Sequence, residues 1–459
     1  MVVQGVSSQT AAQDAAMKPS HFNLESIVRP NILSLQPYRC ARDDYQEGIL
    51  LDANENSLGH SLPSGSTLPH TTNGDASVAS SSATPLTGGA AGPSDPLSLH
   101  RYPDPSLFGI KAKLAKLRSM PSEDHIFLGV GSDEVLDLLQ RIVCTPSKDA
   151  ICVCPPTYGM YGVCAAVNDV SVVKVPLRVD DGDFSLDVDK VIATLRTDPS
   201  IKILYLCSPG NPTGTLLDLR DVRRILDEPS YKGLVVVDEA YIDFAEEEIR
   251  LGVRDQLKPV SAVSLLKEYK NLVVTQTLSK AYGLAGIRLG IAYSSPSLIQ
   301  LMNNTKAPYN VSVPTAHLAS LALSDQGLAN MRINLQTLLR NRTWLLENLA
   351  PLPGIGDVLG SNDANFILVQ VLDAPKLQGG KPNNERAGAV YKGMAEQKGL
   401  VVRNRSTDLG CAGCLRITVG TDAENKRCVE LIGEMLVATE QMAAASRAAS
   451  SASAASTVL

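Results

Sequence analysis

Two residues that could do covalent and electrostatic chemistry follow short apolar runs in this sequence. Lys280 comes four residues after the run Leu272–Gln276, and Asp238 directly follows the run Leu234–Val237. If both runs are buried strands, desolvation lowers the pKa of the lysine, and its neutral amine can form a Schiff base with an aldehyde. A carboxylate at a neighbouring strand end can keep a pyridine nitrogen protonated, which turns such a ring into an electron sink. Because open α/β sheets bind ligands at the carboxyl ends of their strands, both residues are candidates for one site.

Two further motifs supply groups that suit a phosphate and a ring oxygen. The small-residue stretch Gly129–Glu134 opens onto a predicted helix, whose first N–H groups and dipole favour a phosphate. Asn211, in the turn Ser208–Gly214 after an apolar run, and Tyr241 could hydrogen-bond a ring oxygen. Each motif alone is a common turn or helix cap. These ordinary structural roles do not explain why all of the motifs occur together at strand ends. Aldehyde, pyridine nitrogen, ring oxygen and phosphate together describe pyridoxal 5′-phosphate (PLP).

The composition places these motifs in a folded protein and excludes several function classes. The chain has 459 residues, 44% of them hydrophobic, with 42 Lys and Arg against 48 Asp and Glu and a formal net charge of −6. This length allows about three domains or fewer. The acidic balance, without a cluster of basic residues, predicts no nucleic-acid partner. No apolar stretch reaches the roughly 18 residues needed to cross a bilayer, so we expect no membrane span.

The placement of cysteines and histidines argues against a metal site and a hydrolase site. The sequence has 9 cysteines and 6 histidines. Cys411 and Cys414 have the spacing of half a zinc site, but no second pair completes four ligands, and no histidine lies in a nucleophile motif. Residues 1–20 lack the apolar core of a signal peptide, and an odd number of cysteines suits reduced thiols. We therefore expect no metal and a cytoplasmic protein.

Alternation of short apolar runs with longer amphipathic ones predicts an α/β fold. Between residues 100 and 333 this pattern favours a large domain with a mostly parallel sheet covered by helices. Residues 334–440, joined by 22–57, are expected to form a smaller, discontinuous α+β domain. The runs expected as strands are Ala150–Cys154, Val170–Val175, Ile203–Cys207, Leu234–Val237, Leu272–Gln276, Phe366–Val371, Gly399–Arg403 and Leu415–Val419.

Three segments of low complexity are predicted to lie outside the cores. The ends, 1–21 and 441–459, are polar and rich in small residues, and the segment 58–99 has Asp75 and Asp95 as its only charged residues. Such compositions bury too little apolar surface to offset the entropy lost on ordering. We expect disorder at both ends and a looped-out insertion at 58–99.

The strand-end motifs resemble those of a known family. Ser208–Gly214, Val237–Tyr241 and Ser279–Lys280 with Arg288 are similar to the signature of fold-type I PLP-dependent aminotransferases. More narrowly, the chain resembles the histidinol-phosphate aminotransferases in the segments Leu51–Asn56, Arg101–Pro105, Pro155–Tyr161 and Leu415–Gly420. The likeness covers about residues 24–56 and 100–435. One departure is Gly210, which stands where the family motif has an asparagine.

The resemblance implies a role for each matching residue. Lys280 would carry the cofactor aldehyde and later move the proton, and Asp238 would pair with the pyridine nitrogen. Asn211 and Tyr241 would bind the ring oxygen, and Tyr158 would stack on the ring. The cofactor phosphate would be held by Gly131, Ser132, Asp133, Ser279 and Arg288.

The family's reaction and substrates follow from the same resemblance. It implies amino-group transfer from histidinol phosphate to 2-oxoglutarate, with imidazole acetol phosphate and glutamate as products. Arg416 would bind the anionic group of the substrate, Arg403 and Tyr38 would bind the phosphate, and Asn54 would be a further substrate contact. Planar, permanently charged guanidinium groups suit carboxylate and phosphate alike. Arg405 lies two residues from Arg403 and is an alternative for its role.

The resemblance also implies assembly. Tyr102 would reach the cofactor phosphate from a neighbouring subunit, so the expected active unit is a homodimer. The 58–99 insertion falls directly before this tyrosine. We therefore expect the insertion to lie near the subunit interface.

Three other functions remain open from the sequence. A threonine-phosphate decarboxylase would share the scaffold and a phosphate pocket, and amino-group transfer to 2-oxoglutarate would distinguish the two reactions. An aminotransferase for aromatic amino acids would keep the cofactor residues. A non-catalytic scaffold is disfavoured because Lys280 and Asp238 are both intact.

Overall fold

The computed structural model describes residue 14 and residues 17–36, 97–180, 182–254 and 258–456, with side chains described as far as residue 442. Tyr38, Asn54 and the segment Leu51–Asn56 lie outside these residues. Most of the predicted insertion lies outside them too, but Leu97 is buried. The packed structure therefore begins before the predicted end of the insertion at residue 99.

A seven-stranded sheet forms the centre of the large domain. Its spatial order is β1-β7-β6-β5-β4-β2-β3, and only β7 runs antiparallel to its neighbours. The strands are β1 (Ile126–Val130), β2 (Ala150–Val153), β3 (Ser171–Lys174), β4 (Ile201–Cys207), β5 (Leu234–Asp238), β6 (Leu272–Thr277) and β7 (Leu289–Tyr293). This confirms the predicted mostly parallel sheet. Strands β1 and β7 were not predicted, because each contains a glycine, a residue depleted in strands.

Helices cover both faces of this sheet and continue into the second domain. The helices are α1 (Leu24–Ile27), α2 (Pro30–Leu33), α3 (Phe108–Arg118), α4 (Gly131–Val143), α5 (Met160–Val167), α6 (Val188–Thr197), α7 (Leu219–Leu226), α8 (Ile242–Arg250), α9 (Pro296–Thr305), α10 (Val313–Ala322), α11 (Asp325–Leu349), α12 (Asn384–Lys392) and α13 (Asp422–Ser456). Strand β5 shows the layering: Val235 and Val237 join one apolar core, and Leu234 and Val236 join the core on the other face. No helix in the described part of the chain is both long and apolar enough to cross a membrane.

Helix α4 positions the candidate phosphate site, and its sequence explains its orientation. Val135, Leu136, Leu139, Ile142 and Val143 are all buried in the core beneath the sheet. This spacing gives one apolar stripe along the helix. Burial of the stripe fixes the helix against β1 and β7, so its N-terminus lies at the sheet edge.

The small domain has a four-stranded antiparallel sheet in the order β10-β11-β9-β8. The strands are β8 (Ile355–Leu359), β9 (Phe366–Val371), β10 (Arg403–Asn404) and β11 (Cys414–Thr418). Ile367, Val369, Leu415 and Ile417 pack in a core shared with α11, α12 and α13. The edge strand β8 was not predicted, since glycine and aspartate interrupt its apolar pattern. The strand expected at Gly399–Arg403 is wrong in its bounds, and only its last residue is paired.

The N-terminal segment corrects two predictions. Residues 22–36 do not join the small domain: Phe22, Ile27 and Ile32 are buried in the large-domain core with α4 and α9. Residues 17–21 are not disordered, because the backbone N–H of Lys18 donates to the carbonyl of Glu268 at 2.7 Å. The sparse apolar residues of this segment were enough to dock it on the larger core.

The C-terminal segment corrects a third prediction. The backbone of α13 is helical through Ser456, whereas disorder was expected from residue 441. Alanine has the highest intrinsic helix propensity. A helix already nucleated at Asp422 therefore continues into the Ala-rich segment at little cost, because only nucleation is strongly unfavourable.

Replacing Arg118 should strongly destabilise the large domain. This nearly buried guanidinium donates to Asp243 at 2.9 Å, to Glu246 at 2.5 Å and to Gln276 at 2.9 Å. Arg118→Met leaves the buried Asp243 carboxylate without its cation, a change that typically costs about 3–5 kcal/mol. We expect a lower urea midpoint at pH 7 for Arg118→Met than for the exposed control Arg340→Met. Equal midpoints for the two variants would contradict a structural role for this cluster.

Candidate active site

The candidate residues converge at one edge of the large sheet. Asp238 ends β5, Ser208 begins the turn after β4, and Lys280 follows β6 by three residues. Because β1 and β6 are both antiparallel to β7, β1 is parallel to β6, and Gly131 after β1 lies at the same edge. The carboxyl ends of these strands therefore bring together the motifs that are separate in the sequence.

Asp238 is a buried carboxylate with the surroundings of a cation site. It is 3% exposed, and it accepts hydrogen bonds from the Tyr161 hydroxyl at 2.8 Å and the Thr275 hydroxyl at 3.0 Å. Burial raises its pKa, and the largest neighbouring charge acting on it is the like charge of Asp133. A buried carboxylate held by neutral donors favours a cationic ligand group, because such a group offsets its desolvation. The protonated nitrogen of a pyridine ring fits this requirement.

The amine of Lys280 lies in a setting that favours its neutral form. Its Nζ is 5.6 Å from the centre of the Tyr241 ring. Burial lowers the pKa of Lys280, and the positive charges of Arg416 and Arg288 lower it further, while Asp133 and Asp238 act in the opposite direction. A lowered pKa increases the fraction of nucleophilic amine at neutral pH. This property is the one required of a residue that attacks an aldehyde.

The N-terminus of α4 forms a cradle of the kind that holds a phosphate. Gly131 has φ +73°, and a Cβ there would lie 2.4 Å from Nη2 of Arg288. The helix packs so closely on β7 that a Cβ at Gly290 would lie 2.2 Å from the Gly131 carbonyl carbon. Arg288 also contacts Asp133 at 3.2 Å, and Ser279 and Thr277 share a hydroxyl hydrogen bond of 2.8 Å. Helix N–H groups, a guanidinium and hydroxyls in one place suit an anion.

The other side of the site is built by the small domain. Arg416 donates from Nη1 to the side-chain oxygen of the buried Asn211, and its guanidinium lies 5.1 Å from the centre of the Phe366 ring. Tyr241 meets the same ring edge-on at 5.3 Å. Burial, and next the charge of Arg405, lower the pKa of Arg416. The side chain remains charged, because the ordinary pKa of a guanidinium group is far above neutral pH. A permanent cation is thus held beside the candidate ring-binding residues.

Three other predicted residues have different outcomes. Arg403 is exposed and lies directly opposite Arg416 in the pairing of β10 with β11. The Tyr158 hydroxyl donates to Asp133 at 3.1 Å, which places this tyrosine at the site edge. Tyr102 is 48% exposed, and its ring stacks on Tyr309 at 4.7 Å.

Sequence reasoning missed three residues that shape the site. Tyr161 and Thr275 hold Asp238, and Phe366 packs on both Tyr241 and Arg416. Tyr161 stood within a quoted motif, which could have indicated it. Thr275 is the register partner of Asp238 on β6, and a sequence alone does not give the register between strands.

Comparisons with known proteins agree with this arrangement. A model of the aminotransferase class I and II family matches residues 82–432. A histidinol-phosphate aminotransferase of Schizosaccharomyces pombe is 45% identical over 88% of this chain and 95% of its own length. That of Saccharomyces cerevisiae is 40% identical over 90% of this chain and 98% of its own length. The chain belongs to the class I and II aminotransferases, among the histidinol-phosphate aminotransferases.

A solved structure shows the same fold. The histidinol-phosphate aminotransferase of Sinorhizobium meliloti, described in complex with pyridoxal-5′-phosphate, has a TM-score of 0.62 and 22% identity, covering 74% of this chain and 84% of that one. This match confirms the fold-type I architecture predicted from the motifs. The cofactor of this family is PLP, and the buried carboxylate, the lysine and the anion cradle fit that molecule.

Proposed function

We propose that this protein transfers an amino group from histidinol phosphate to 2-oxoglutarate, forming imidazole acetol phosphate and glutamate. The observation that carries the proposal is the position of Arg416, which contacts Asn211 while Arg403 lies opposite it. An anion-binding pair thus adjoins the residues that suit the cofactor. The family to which the chain belongs, whose relatives carry this activity in their names, supports the same choice of substrate.

Each of the residues that suit the cofactor has its own role in this proposal. When bound, PLP supplies an aldehyde that accepts the substrate amine and a protonated ring that withdraws electrons from the neighbouring carbon. Asp238 would hold the proton on the ring nitrogen, and Asn211 and Tyr241 would bind the ring oxygen. Tyr158 would stack on the ring. The phosphate would be held by Gly131, Ser132, Asp133, Ser279 and Arg288.

Lys280 moves the proton in this scheme. With the cofactor bound, its neutral Nζ would be the base that accepts the proton from the carbon bearing the substrate amino group. Burial and the charges of Arg416 and Arg288 lower the pKa of this amine, which keeps part of it able to act as a base near neutral pH. Transfer in the reverse direction serves the second substrate, so one base is sufficient for both halves of the reaction.

Two arginines bind the substrate anions in this proposal. Arg416 binds the carboxylate of glutamate or 2-oxoglutarate and contributes to binding of the phosphate ester. Arg403 and Tyr38 bind the phosphate end of histidinol phosphate, and Asn54 is a further substrate contact; Tyr38 and Asn54 lie outside the described residues. Antiparallel partners directly opposite each other project to the same face of a sheet, so both guanidinium groups face the same side.

Replacing Arg403 and replacing Arg416 should affect the two half-reactions differently. Arg403→Ala should lower kcat/KM for histidinol phosphate by about 10- to 150-fold, the usual effect of losing one charge-assisted partner of an anion. The glutamate half-reaction should change by less than about threefold, since its anion is bound elsewhere. Arg416→Ala should damage both half-reactions, as measured by single-turnover kinetics. Unchanged turnover of histidinol phosphate by Arg403→Ala would move the phosphate contact to another residue.

The active unit in this proposal is a homodimer in which Tyr102 of one subunit reaches the site of the other. Large apolar side chains are exposed on the helices α3 and α10: Phe108 is 60% exposed, and Leu321 is 49% exposed. The two helices pack together, and Lys113 donates to the Ser320 carbonyl at 3.0 Å. Exposed apolar side chains of this kind suit a subunit interface. Light scattering should give twice the monomer mass, and a monomer with full activity would contradict the proposed assembly.

A further inference from the structure

The face of the small sheet that points to the large domain carries three arginines. Arg403 pairs with Arg416, and the backbone N–H of Arg405 donates to the Cys414 carbonyl at 2.9 Å, so the pairing continues by one residue. Because side chains alternate along a strand, Arg405 returns to the face of Arg403 and Arg416. Leu415, which lies between Cys414 and Arg416, points to the opposite face and the small-domain core.

The guanidinium of Arg405 has donors that no described residue uses. Its Nε is buried without a hydrogen-bond partner among the described residues. Within the described part of the chain it forms an ion pair with Asp408 at 3.5 Å, at the outer limit of a hydrogen bond. The Nε of Arg416 is buried and unpartnered in the same way. Unused donors on two partly buried cations are unfavourable unless an anion accepts from them.

Arg405 also lies close to the residues that suit the cofactor and the substrate. After burial, its charge is the largest influence that lowers the pKa of Arg416, and it opposes the rise that burial causes in the pKa of Tyr241. Like charges placed together disfavour each other. A single monoanionic carboxylate on Arg416 does not need a second cation beside it. A phosphate monoester does, because it carries a charge of about −1.5 to −2 near neutral pH and three acceptor oxygens.

We propose that Arg405 is a specificity-determining residue that donates to the phosphate of a phosphorylated amino substrate, alongside Arg403 and Arg416. This inference rests on the proposed function and adds a residue to which the family resemblance assigns no role. It implies that the site selects dianionic phosphate esters over amino acids that carry only a carboxylate. Asp408 holds the guanidinium loosely when no phosphate is bound.

The test compares two half-reactions in PLP-reconstituted full-length enzyme. Arg405→Gln should lower kcat/KM for histidinol phosphate by about 10- to 100-fold and weaken competitive inhibition by inorganic phosphate. The glutamate half-reaction should change by less than about threefold. Arg405→Lys, which keeps the charge, should recover part of the loss. Arg427→Gln, which removes an exposed arginine of α13, is the matched control and should resemble the wild type.

Asp408→Asn distinguishes phosphate recognition by Arg405 from a merely structural ion pair between Arg405 and Asp408. If Arg405 acts on the phosphate, this variant should keep or improve kcat/KM for histidinol phosphate, because a competitor for the guanidinium is gone. Equal losses in both half-reactions for Arg405→Gln and Asp408→Asn would overturn the proposal in favour of a turn-stabilising pair. If the wild type turned over histidinol phosphate and Arg405→Gln lost none of this activity, only the role of Arg405 would be overturned. Absence of that turnover in the wild type would overturn the proposed function with it.

Discussion

Lys280→Ala should abolish turnover while the protein still folds and binds its cofactor. The variant loses both the amine that attacks the aldehyde and the base that moves the proton. General acid–base catalysis alone contributes about 10²–10⁴-fold, so we expect the rate of each half-reaction to fall by at least about 10³-fold. The protonation-dependent visible absorption of the lysine-bound cofactor should also disappear. Stopped-flow spectroscopy of single turnovers measures both effects.

The control for this variant is Lys267→Ala, which removes an exposed lysine outside the site. It should match the wild type in absorption and in rate. Added methylamine should restore part of the rate in Lys280→Ala, because a free amine can replace the missing base. Wild-type rates in Lys280→Ala would show that another group carries the chemistry.

Asp238→Asn should lower kcat by at least about 10²-fold, the scale of losing one well-placed electrostatic group. The amide is nearly the same size as the carboxylate, but it carries no charge to keep the ring nitrogen protonated. Tyr161 and Thr275 remain in place as hydrogen-bond partners. Steady-state kinetics with histidinol phosphate and 2-oxoglutarate measure the loss.

Thr275→Val is the companion variant for Asp238→Asn. It removes one hydrogen bond to the carboxylate and keeps the charge, so its kcat should fall by less than about tenfold, in line with about 0.5–1.5 kcal/mol for one hydrogen bond. If Asp238→Asn lost less than tenfold as well, Asp238 would be a structural residue and the ring would lie elsewhere.

The central strands of the sheet could be predicted because they are buried on both faces. Strands β2, β4, β5 and β6 are rich in apolar and β-branched residues, the usual pattern of a parallel strand covered by helices. Strands β1 and β7 could not be predicted, since Gly129 and Gly290 break their apolar patterns. Gly290 is required there by the close approach of Gly131, which is a contact between distant segments.

The small domain shows a different limit. Residues 22–36 were assigned to it, but the sequence does not show which of the two cores buries their side chains. Phe22 and Ile32 are buried in the core that contains residues of α4 and α9. Strand β10 is only two residues long, and its importance comes from the arginine that it places opposite Arg416.

The candidate site was more predictable than the fold around it. Residues such as Lys280 and Asp238 stand in local motifs at strand ends, where chain direction alone places them together. Thr275 and Phe366 have no such motif, and their contacts follow from strand register and domain packing. The buried Nε atoms of Arg405 and Arg416, which have no hydrogen-bond partner among the described residues, became visible only in three dimensions.

The most direct measurement is product formation by the purified enzyme with PLP, histidinol phosphate and 2-oxoglutarate. Glutamate should form in a one-to-one ratio with the ketone product, and no carbon dioxide should be released. Phenylalanine should be a substrate with at least about tenfold lower kcat/KM, because it carries no phosphate for Arg403 and Arg405 to bind. Release of carbon dioxide from threonine phosphate without glutamate formation, or faster turnover of phenylalanine than of histidinol phosphate, would contradict the proposed function.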